Sequence, residues 1–534
     1  MRKYKNGHDG RKTVSCPKTG GYDVFVTSNH NHAMAKGIPF QSEFRPVLPT
    51  VRGNVDYQRF EADLLRMDQI LELGGVEQLF VEQSLELWLA RARDRAPTAK
   101  EQTQYQRRSA QALRCLVLKH LLGEDLRGMS RRLAECALFQ WFCGVDRMEE
   151  VRVPSKSQLG RYFNWLPRAK LDEVMGRLIR AAGQSDATSA GNRLRLANDL
   201  ELDTVWMDST CVQANVHYPV DWVLLRDATR TLMKATDLIR RHGLKHRMQE
   251  PSHFLTEINR QCIAMSQAGK TTDSNKARRR VLRRMKKIVG VVRKHAQRHR
   301  DLLDEQWQQT DWSRPQAEQV LRRIDGVLQQ LPAAVKQAHE RIIGERPVAN
   351  ADKILSLYDE DLQVIVRGKA GAEVEFGNTL LIAEQAQGVV VDWHLHQESA
   401  PADSRQLPAS LKRMDARLGV GVIRAVGGDR GFDSEGNREL LKEKQVFNAL
   451  CPRGVEELKR RRHGERFGRI QRRRSQTEGR IAILKNDFFG RPMRSKGYEH
   501  RAMSVSWSVL AHNLWVLARL ERAPESRGEL KKAA

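Results

Sequence analysis

A long, strongly basic helical segment separates two groups of strand-forming sequence, and this separation constrains the fold more than any other feature. The segment DTVWMDSTCVQ, residues 203–213, alternates apolar and polar side chains among residues typical of strands, and we expect Asp208 late on this strand. Residues 221–345 have a helical pattern and include the run NKARRRVLRRMKKIVGVVRKHAQRHR. Further strand signals come only after it. A sheet that uses both groups must therefore carry a helical insertion.

The sequence after the insertion alternates between strand and helix signals. The runs ILSLYD, LQVIVRG, GNTLLIAEQAQ and GVVVDWHLHQE are short and apolar, with Gly-containing turns between them, and the last two are typical of a hairpin. A helix is predicted over 404–418, and the next apolar run closes in Gly427, Gly428 and Asp429. Strands followed by alternating helices and strands indicate an α/β core.

The N-terminal part of the chain has a different pattern. Residues 57–182 are predicted to be helical throughout, because apolar side chains recur at steps of three and four. Within them, VPSKSQLGRYFNWLP begins a helix with Ser155 as its N-cap. This helix would suit a helix-turn-helix that presents Lys156, Gln158 and Arg161 to DNA. A generic helical hairpin with a polar face explains the same residues equally well.

The charge of the chain points to a nucleic-acid partner. Its 534 residues include 92 Lys and Arg against 65 Asp and Glu, a formal net charge of +27. The seven cysteines are scattered and never form a C-x-x-C pair, which argues against a zinc ribbon or a disulfide framework. Because no apolar run approaches the ~20 residues that cross a bilayer, we expect a cytoplasmic protein without a membrane partner.

Three acidic residues are candidates for metal-dependent phosphodiester chemistry: Asp208, Asp429 and Glu478. Two aspartates on neighbouring strands and a glutamate from an adjacent helix would provide the carboxylate oxygens that two Mg²⁺ ions need. For any one of these residues alone, an ordinary turn, cap or surface position is the more frequent explanation. Asp433 could replace Asp429 in principle, but the sequence after it is typical of a helix start, and we interpret Asp433 as the cap.

The helix predicted around Glu478 is more informative. Arg474, Glu478 and Lys485 stand at positions i, i+4 and i+11, so they share one face of a continuous helix. The carboxylate could bind metal while the cations contact phosphates on either side. A solvated face with an ordinary Arg–Glu pair accounts for the spacing about as well.

Taken together, these motifs resemble a known family. DST at Asp208, GDRGFDS at Asp429 and the spacing Arg474-x3-Glu478-x6-Lys485 are similar to the DDE transposases of bacterial insertion sequences, in the group with an R-x3-E-x6-K signature. The continuation DSTCVQANVHYPVDWVLLRDATRTL and the segment GKAGAEVEFG resemble the ISNCY-type members. The signature often has Tyr three residues before the Arg, where this chain has Gln471, which puts an auxiliary DNA contact in doubt.

The resemblance implies a ribonuclease-H-like mixed sheet with Asp208, Asp429 and Glu478 as catalytic residues and ligands of two Mg²⁺ ions, with Mn²⁺ as an alternative. It further implies double-stranded DNA as partner, both as terminal inverted repeats and as target, a homodimer on the DNA, and a place at the bacterial nucleoid. The reaction would be strand cleavage at element ends followed by attack of the freed 3′ hydroxyl on target DNA.

The predicted organisation combines this core with helical parts. It comprises a disordered basic tail (1–50), a helix-turn-helix-like DNA-binding module (51–198), the ribonuclease-H-like core (199–221 and 350–525), a basic helical insertion (222–349) and a flexible tail (526–534). The insertion is expected to protrude and to contact phosphates through Arg279, Arg283 and Lys287, although a solvated helical hairpin explains its charge too.

Two other functions remain open at this point. A serine or tyrosine recombinase would leave a covalent protein–DNA adduct, but no Arg-rich catalytic set around a lone Tyr is present. A non-catalytic, domesticated DNA-binding protein would keep the DNA contacts without the metal chemistry.

Overall fold

The computed structural model describes residues 38–40, 47, 48, 50–92, 95–145, 150–186, 191–216, 220–269, 273–369 and 372–523. The predicted tails therefore lie largely (1–50) or entirely (526–534) outside the described residues. In the described part of the chain, no helix has the length and apolar character to cross a membrane. The six cysteines described there are free thiols.

Among the described residues from 50 to 186 there are seven helices. They are α1 Val55–Leu73, α2 Val76–Arg91, α3 Ala99–Leu121, α4 Leu126–Glu135, α5 Ala137–Cys143, α6 Lys156–Phe163 and α7 Arg168–Ala182. Local sequence fixes several of their starts: Thr98 and Glu101 form a capping box on α3, and Ser155 caps α6 as predicted. A two-residue pairing of β1 Ser185–Asp186 with β2 Gly191–Asn192 follows α7.

One mixed sheet forms the centre of the molecule. Its strands are β3 Thr204–Gln213, β4 Gln363–Lys369, β5 Ala372–Gln385, β6 Val390–Leu395, β7 Ala425–Gly428 and β8 Phe447–Leu450. β5 pairs antiparallel with β3 along one edge and with β6 and then β4 along the other. β3, β7 and β8 are mutually parallel. The order β6-β5-β3-β7-β8, with only the last three parallel, is consistent with the ribonuclease-H-like sheet that the resemblance implies.

Asp208 does not lie near the end of its strand, contrary to the sequence-based expectation. It is the fifth residue of β3, which continues to Gln213. The reason is the long antiparallel pairing with β5, which extends from Val205 opposite Gln385 to Gln213 opposite Gly377. Only the pairing with β7 stops before Asp208.

The basic segment forms four helices: α8 Asp221–Arg241, α9 Pro251–Ala268, α10 Ser274–Gln306 and α11 Arg314–Ile342. They pack on one another around a hydrophobic core of their own, which includes Leu225, Leu282 and Ile324. At one end of this bundle, Asp221 of α8 accepts hydrogen bonds from Gln337 (2.8 Å) and Arg341 (3.0 Å) of α11. Gln337 in turn accepts one from the backbone N–H of Ile354 (2.7 Å), in the segment that leads to β4.

The remaining helices cover the sheet. They are α12 Asp403–Leu418, α13 Glu435–Glu443, α14 Val455–Arg462, α15 Glu465–Ile483, a π-helical turn Leu484–Phe489, and α16 Tyr498–Ala518. α16 is almost wholly buried and packs against α1, α3 and α7. As a result, the N-terminal helices and the sheet share one hydrophobic core, with Trp507 fully buried in it. The predicted boundary at residue 198 does not divide this core.

The shared core predicts a large effect of truncating Trp507. Its ring is fully buried, and its indole N–H donates to the carbonyl of Phe163 at 3.2 Å, so Trp507→Ala should lower the free energy of unfolding by about 3–5 kcal/mol. Trp312→Ala is the control, because Trp312 is only partly buried at the edge of the separate insertion core. Denaturant unfolding followed by circular dichroism measures both. An equal loss in the two variants would contradict the shared core.

Candidate active site

Asp208 and Asp429 are brought together by the parallel pairing of β3 with β7. The last residues paired between these strands are Trp206 and Gly427, and each aspartate follows its strand's last paired residue by two positions. Because residues two apart on a strand point to the same face, the equal offset places both carboxylates at one end of the parallel pair. Asp429 accepts a hydrogen bond from the backbone N–H of Gly431 at 2.8 Å, which orients it in the turn after β7.

Glu478 joins them from α15. The three carboxylates line one cleft of about 700 Å³, together with Arg474 and Lys485. Glu478 is largely exposed and pairs with Arg474 at 3.3 Å, whereas neither aspartate forms an ion pair with a Lys or Arg in the described residues. The structure thus places the three predicted acidic residues around the same space.

The electrostatics of Asp208 reflect this arrangement. Burial, together with the negative charges of Asp429 and Glu478, raises the pKa of Asp208 to about 6. The hydrogen bond from the Ser209 N–H (2.8 Å) and the positive charge of Arg474 oppose this shift. A buried carboxylate whose charged neighbours are mainly acidic is stabilised by a cation. The cleft therefore favours a positive ligand next to Asp208.

The three carboxylates line one cleft, but they do not surround a single point in it. No group of three or more His, Cys, Asp or Glu side chains among the described residues is arranged to hold a metal ion. Like charges repel, and Glu478 is turned towards Arg474, so convergence would require the Glu478 side chain to leave that pair. The donor set itself fits Mg²⁺ or Mn²⁺, since it offers hard carboxylate oxygens with no bound Lys or Arg on either aspartate.

A buried ion cluster holds α15 on the sheet. Glu384 on β5 is fully buried, and its carboxylate contacts Arg473 at 2.6 Å and Arg480 at 3.4 Å. Arg473 also donates to the carbonyl of Ala386 at 3.0 Å. Both arginines lie on α15, on either side of Glu478, so the helix can hardly slide or rotate while these contacts are intact.

Two further contacts fix the same helix. The indole N–H of Trp206 donates to the carbonyl of Ile470 at 2.8 Å, and the Arg473 guanidinium lies 4.7 Å from the centre of the Trp206 ring. Gln471 donates to the carbonyl of Ala449 and, at 3.3 Å, to that of Gly428. Gln471, the departure from the family signature, therefore joins α15 to β7 and β8.

Sequence analysis missed Glu384. Two signals were available in the sequence. One was a charged residue inside the apolar run GNTLLIAEQAQ, and the other was the pair of arginines seven residues apart on the helix predicted around Glu478. Neither signal identifies its partner without the sheet register, which places Glu384 directly opposite Trp206.

Lys485 lies in the cleft, but not on the continuous helix that the i, i+11 spacing assumed. α15 ends at Ile483, and Lys485 belongs to the π-helical turn, where it lies 4.0 Å from Glu375. The wider turn changes the rotation per residue. The spacing correctly predicted that Arg474, Glu478 and Lys485 lie together, although it assumed an α-helix where Lys485 lies in a π-helical turn.

Asp403 is a further carboxylate of the cleft that sequence analysis missed, and no motif marks it. A Cβ atom at Gly431 would lie 2.7 Å from an Asp403 oxygen and 3.1 Å from an Asp429 oxygen, so a larger residue there would displace the Asp403 carboxylate. The interpretation of Asp433 as a cap is wrong. Ser434 caps α13, while Asp433 is buried in an ion pair with Arg438 at 2.6 Å.

The other predicted DNA contacts lie away from the cleft. Lys156 and Arg161 are exposed on α6, and Arg283 and Lys287 are exposed on α10. Arg279 is partly buried and pairs with Glu345 at 2.9 Å, which leaves it less available than its neighbours.

The comparison with protein families gives one match. Residues 368–514 match the model of the transposase DDE domain. This DDE-domain match includes Asp429 and Glu478, while Asp208 lies before it, on the far side of the insertion. It supports a DDE transposase. No curated protein and no solved structure matches the chain.

Comparing two Glu→Gln substitutions tests whether Glu384 anchors α15 on the sheet. Glu384→Gln removes the buried partner of Arg473 and Arg480, and Glu478→Gln, the control, removes the exposed partner of Arg474. Glu384→Gln leaves two largely buried arginines without a counter-charge and should lower the free energy of unfolding by about 3 kcal/mol or more. Glu478→Gln removes an exposed i, i+4 pair and should cost only about a few tenths of a kcal/mol. Chemical denaturation compares them, and similar losses would refute the anchoring role of Glu384.

Proposed function

We propose that this chain is a DNA transposase that cuts DNA at the ends of a mobile element and joins the freed 3′ ends to target DNA. The observation that carries the proposal is that Asp208, Asp429 and Glu478 line one cleft, and two of them lie inside the segment that matches the transposase DDE domain. Asp208 comes from a strand more than 200 residues earlier, so the fold, and not local sequence, brings it there.

Asp208, Asp429 and Glu478 would hold two divalent ions, Mg²⁺ or Mn²⁺. Bound ions of this kind activate water or a 3′ hydroxyl and stabilise the charge that develops on the phosphate. The carboxylates would supply the negative charge that retains the ions, and the buried Glu384 cluster holds α15 so that Glu478 stays at the same cleft as the aspartates. Release of Glu478 from Arg474 frees both side chains, one for metal and one for phosphate.

Basic side chains around the cleft would position the DNA. Arg474 and Lys485 line it directly, next to the exposed Arg491. Lys156 and Arg161 on α6, and Arg279, Arg283 and Lys287 on α10, would contact DNA farther from the reacting phosphate.

We further propose terminal inverted repeats as the substrate, a homodimer that pairs two ends, a cytoplasmic location at the nucleoid, and an ISNCY-type relationship. No observation in the described residues favours the non-catalytic alternative.

Removing single carboxylates should abolish DNA cleavage without abolishing DNA binding. Asp208→Asn and Glu478→Gln each remove a metal ligand while keeping side-chain size, and purified variants should leave labelled element ends uncut in Mg²⁺. Glu439→Gln, an exposed glutamate on α13 away from the cleft, should cut like the unaltered protein. Cleavage by either cleft variant would remove that residue from the mechanism. A covalent protein–DNA adduct on the same gel would point instead to a recombinase.

Metal binding should weaken in acid because protons and metal ions compete for Asp208. Its raised pKa of about 6 means that the side chain is ionised and able to bind metal above that pH, and protonated below it. Calorimetric titration with Mn²⁺ alone should therefore show an affinity that falls up to about tenfold per pH unit below about pH 6. Asp208→Asn should bind weakly with much less of this pH dependence. An affinity that stays constant from about pH 5 to 7 would contradict the competition.

A further inference from the structure

A second cavity, of about 630 Å³, lies where the helical insertion meets the sheet. Its walls come from three sources: the insertion helices α8 and α11, the chain just beyond β3, and the loop residues 355–359 and 495–496. Its basic side chains are Arg226, Arg230, Lys234, Arg323 and Lys496.

Most of these cations lack an acidic partner. Arg230, Lys234, Arg323 and Lys496 are exposed, and none forms a hydrogen bond or ion pair with a described residue. The acids of the cavity are already engaged, since Asp227 contacts Arg226 at 3.0 Å and Asp359 contacts the buried Arg501 at 3.0 Å. The cavity therefore has an uncompensated positive charge, which favours an anionic ligand.

Hydrogen bonds join the walls of the cavity to each other and to the sheet, since Arg501, the partner of Asp359, also donates to Asn378 on β5 at 2.8 Å. The Tyr358 hydroxyl makes hydrogen bonds with Thr231 Oγ1 (2.6 Å) and the carbonyl of Asp227 (3.1 Å), and these link the loop after α11 to α8. The Tyr358 ring remains 50% exposed at the cavity. The contacts of Asp221 with Gln337 and Arg341 hold the same end of the bundle.

We propose that this cavity binds backbone phosphates of the DNA duplex whose scissile phosphate lies at Asp208. The inference rests on the proposed function, because that function places the reacting phosphate. β3 leads from Asp208 to Ala214 at the cavity wall, six residues that span about 20 Å in an extended strand. At about 3.4 Å per base pair along a duplex, the contacted phosphates lie about six base pairs from the cut.

The fourfold substitution Arg230→Gln, Lys234→Gln, Arg323→Gln and Lys496→Gln in the full chain tests the cavity. Each phosphate contact contributes about 0.9 to the slope of log affinity against log salt, so loss of these contacts should reduce the slope by about two to four. A control variant, Arg241→Gln, Arg260→Gln, Arg314→Gln and Arg346→Gln, makes the same charge change at exposed insertion arginines that are already paired with acids. It should leave the slope nearly unchanged.

Position is tested by single neutral methylphosphonates placed along an element-end duplex. In the unaltered protein, binding should weaken where the neutral group lies about six base pairs from the cut, and the fourfold variant should be insensitive to it. Neutralising Arg283 and Lys287 on α10 should weaken binding while leaving that local sensitivity in place.

The outcomes separate this proposal from the proposed function. A wild-type salt slope in the fourfold variant, or the absence of the local methylphosphonate effect, overturns the cavity as a DNA site even if the protein cuts element ends. If the protein does not cut DNA at all, the proposed function fails, and the salt slope still decides whether the cavity binds phosphates.

Discussion

The buried contact of Glu384 with Arg473 and Arg480 is the interaction on which the site depends. A buried charge that loses its partner is strongly destabilising, so this cluster opposes any shift of the helix that would separate Glu384 from the two arginines. Here the cluster ties the C-terminal end of β5 to two arginines that flank Glu478 along α15. Trp206, two residues before Asp208, packs against Arg473 and bonds to the same helix. The strand that carries Asp208 and the helix that carries Glu478, both proposed as catalytic acids, are thus positioned by one shared set of contacts.

The backbone of the site is held firmly, while the negative charges of its acidic side chains repel one another. The parallel register fixes the two aspartates side by side, and burial with acidic neighbours raises the pKa of Asp208. Glu478 meanwhile rests against Arg474 at the exposed rim. Divalent ions would relieve the repulsion and draw Glu478 inward, while the released Arg474 would meet a phosphate. The position of Glu478 beside Arg474 is therefore suited to a site that forms together with metal and DNA.

Alternating strand and helix signals predicted an α/β core, and the motifs at Asp208, Asp429 and Glu478, with the family they resemble, predicted the mixed sheet and the acids that line the cleft. They failed where long-range pairing decides the structure. Asp208 is in mid-strand because β5 extends β3, and Lys485 lies on a π-helical turn that the spacing alone does not reveal. Glu384 and Asp403 belong to no local pattern. α16 joins the N-terminal helices to the sheet in one core, although the linker-like composition near residue 190 had suggested a boundary.

The central claim is that Asp208, Asp429 and Glu478 jointly hold divalent ions, and anomalous diffraction from crystals grown with Mn²⁺ and element-end DNA tests it most directly. The account predicts manganese peaks at about 2 Å from carboxylate oxygens of all three residues, with Glu478 separated from Arg474. Peaks that lack Glu478 as a ligand, or that lie outside this cleft, would contradict it.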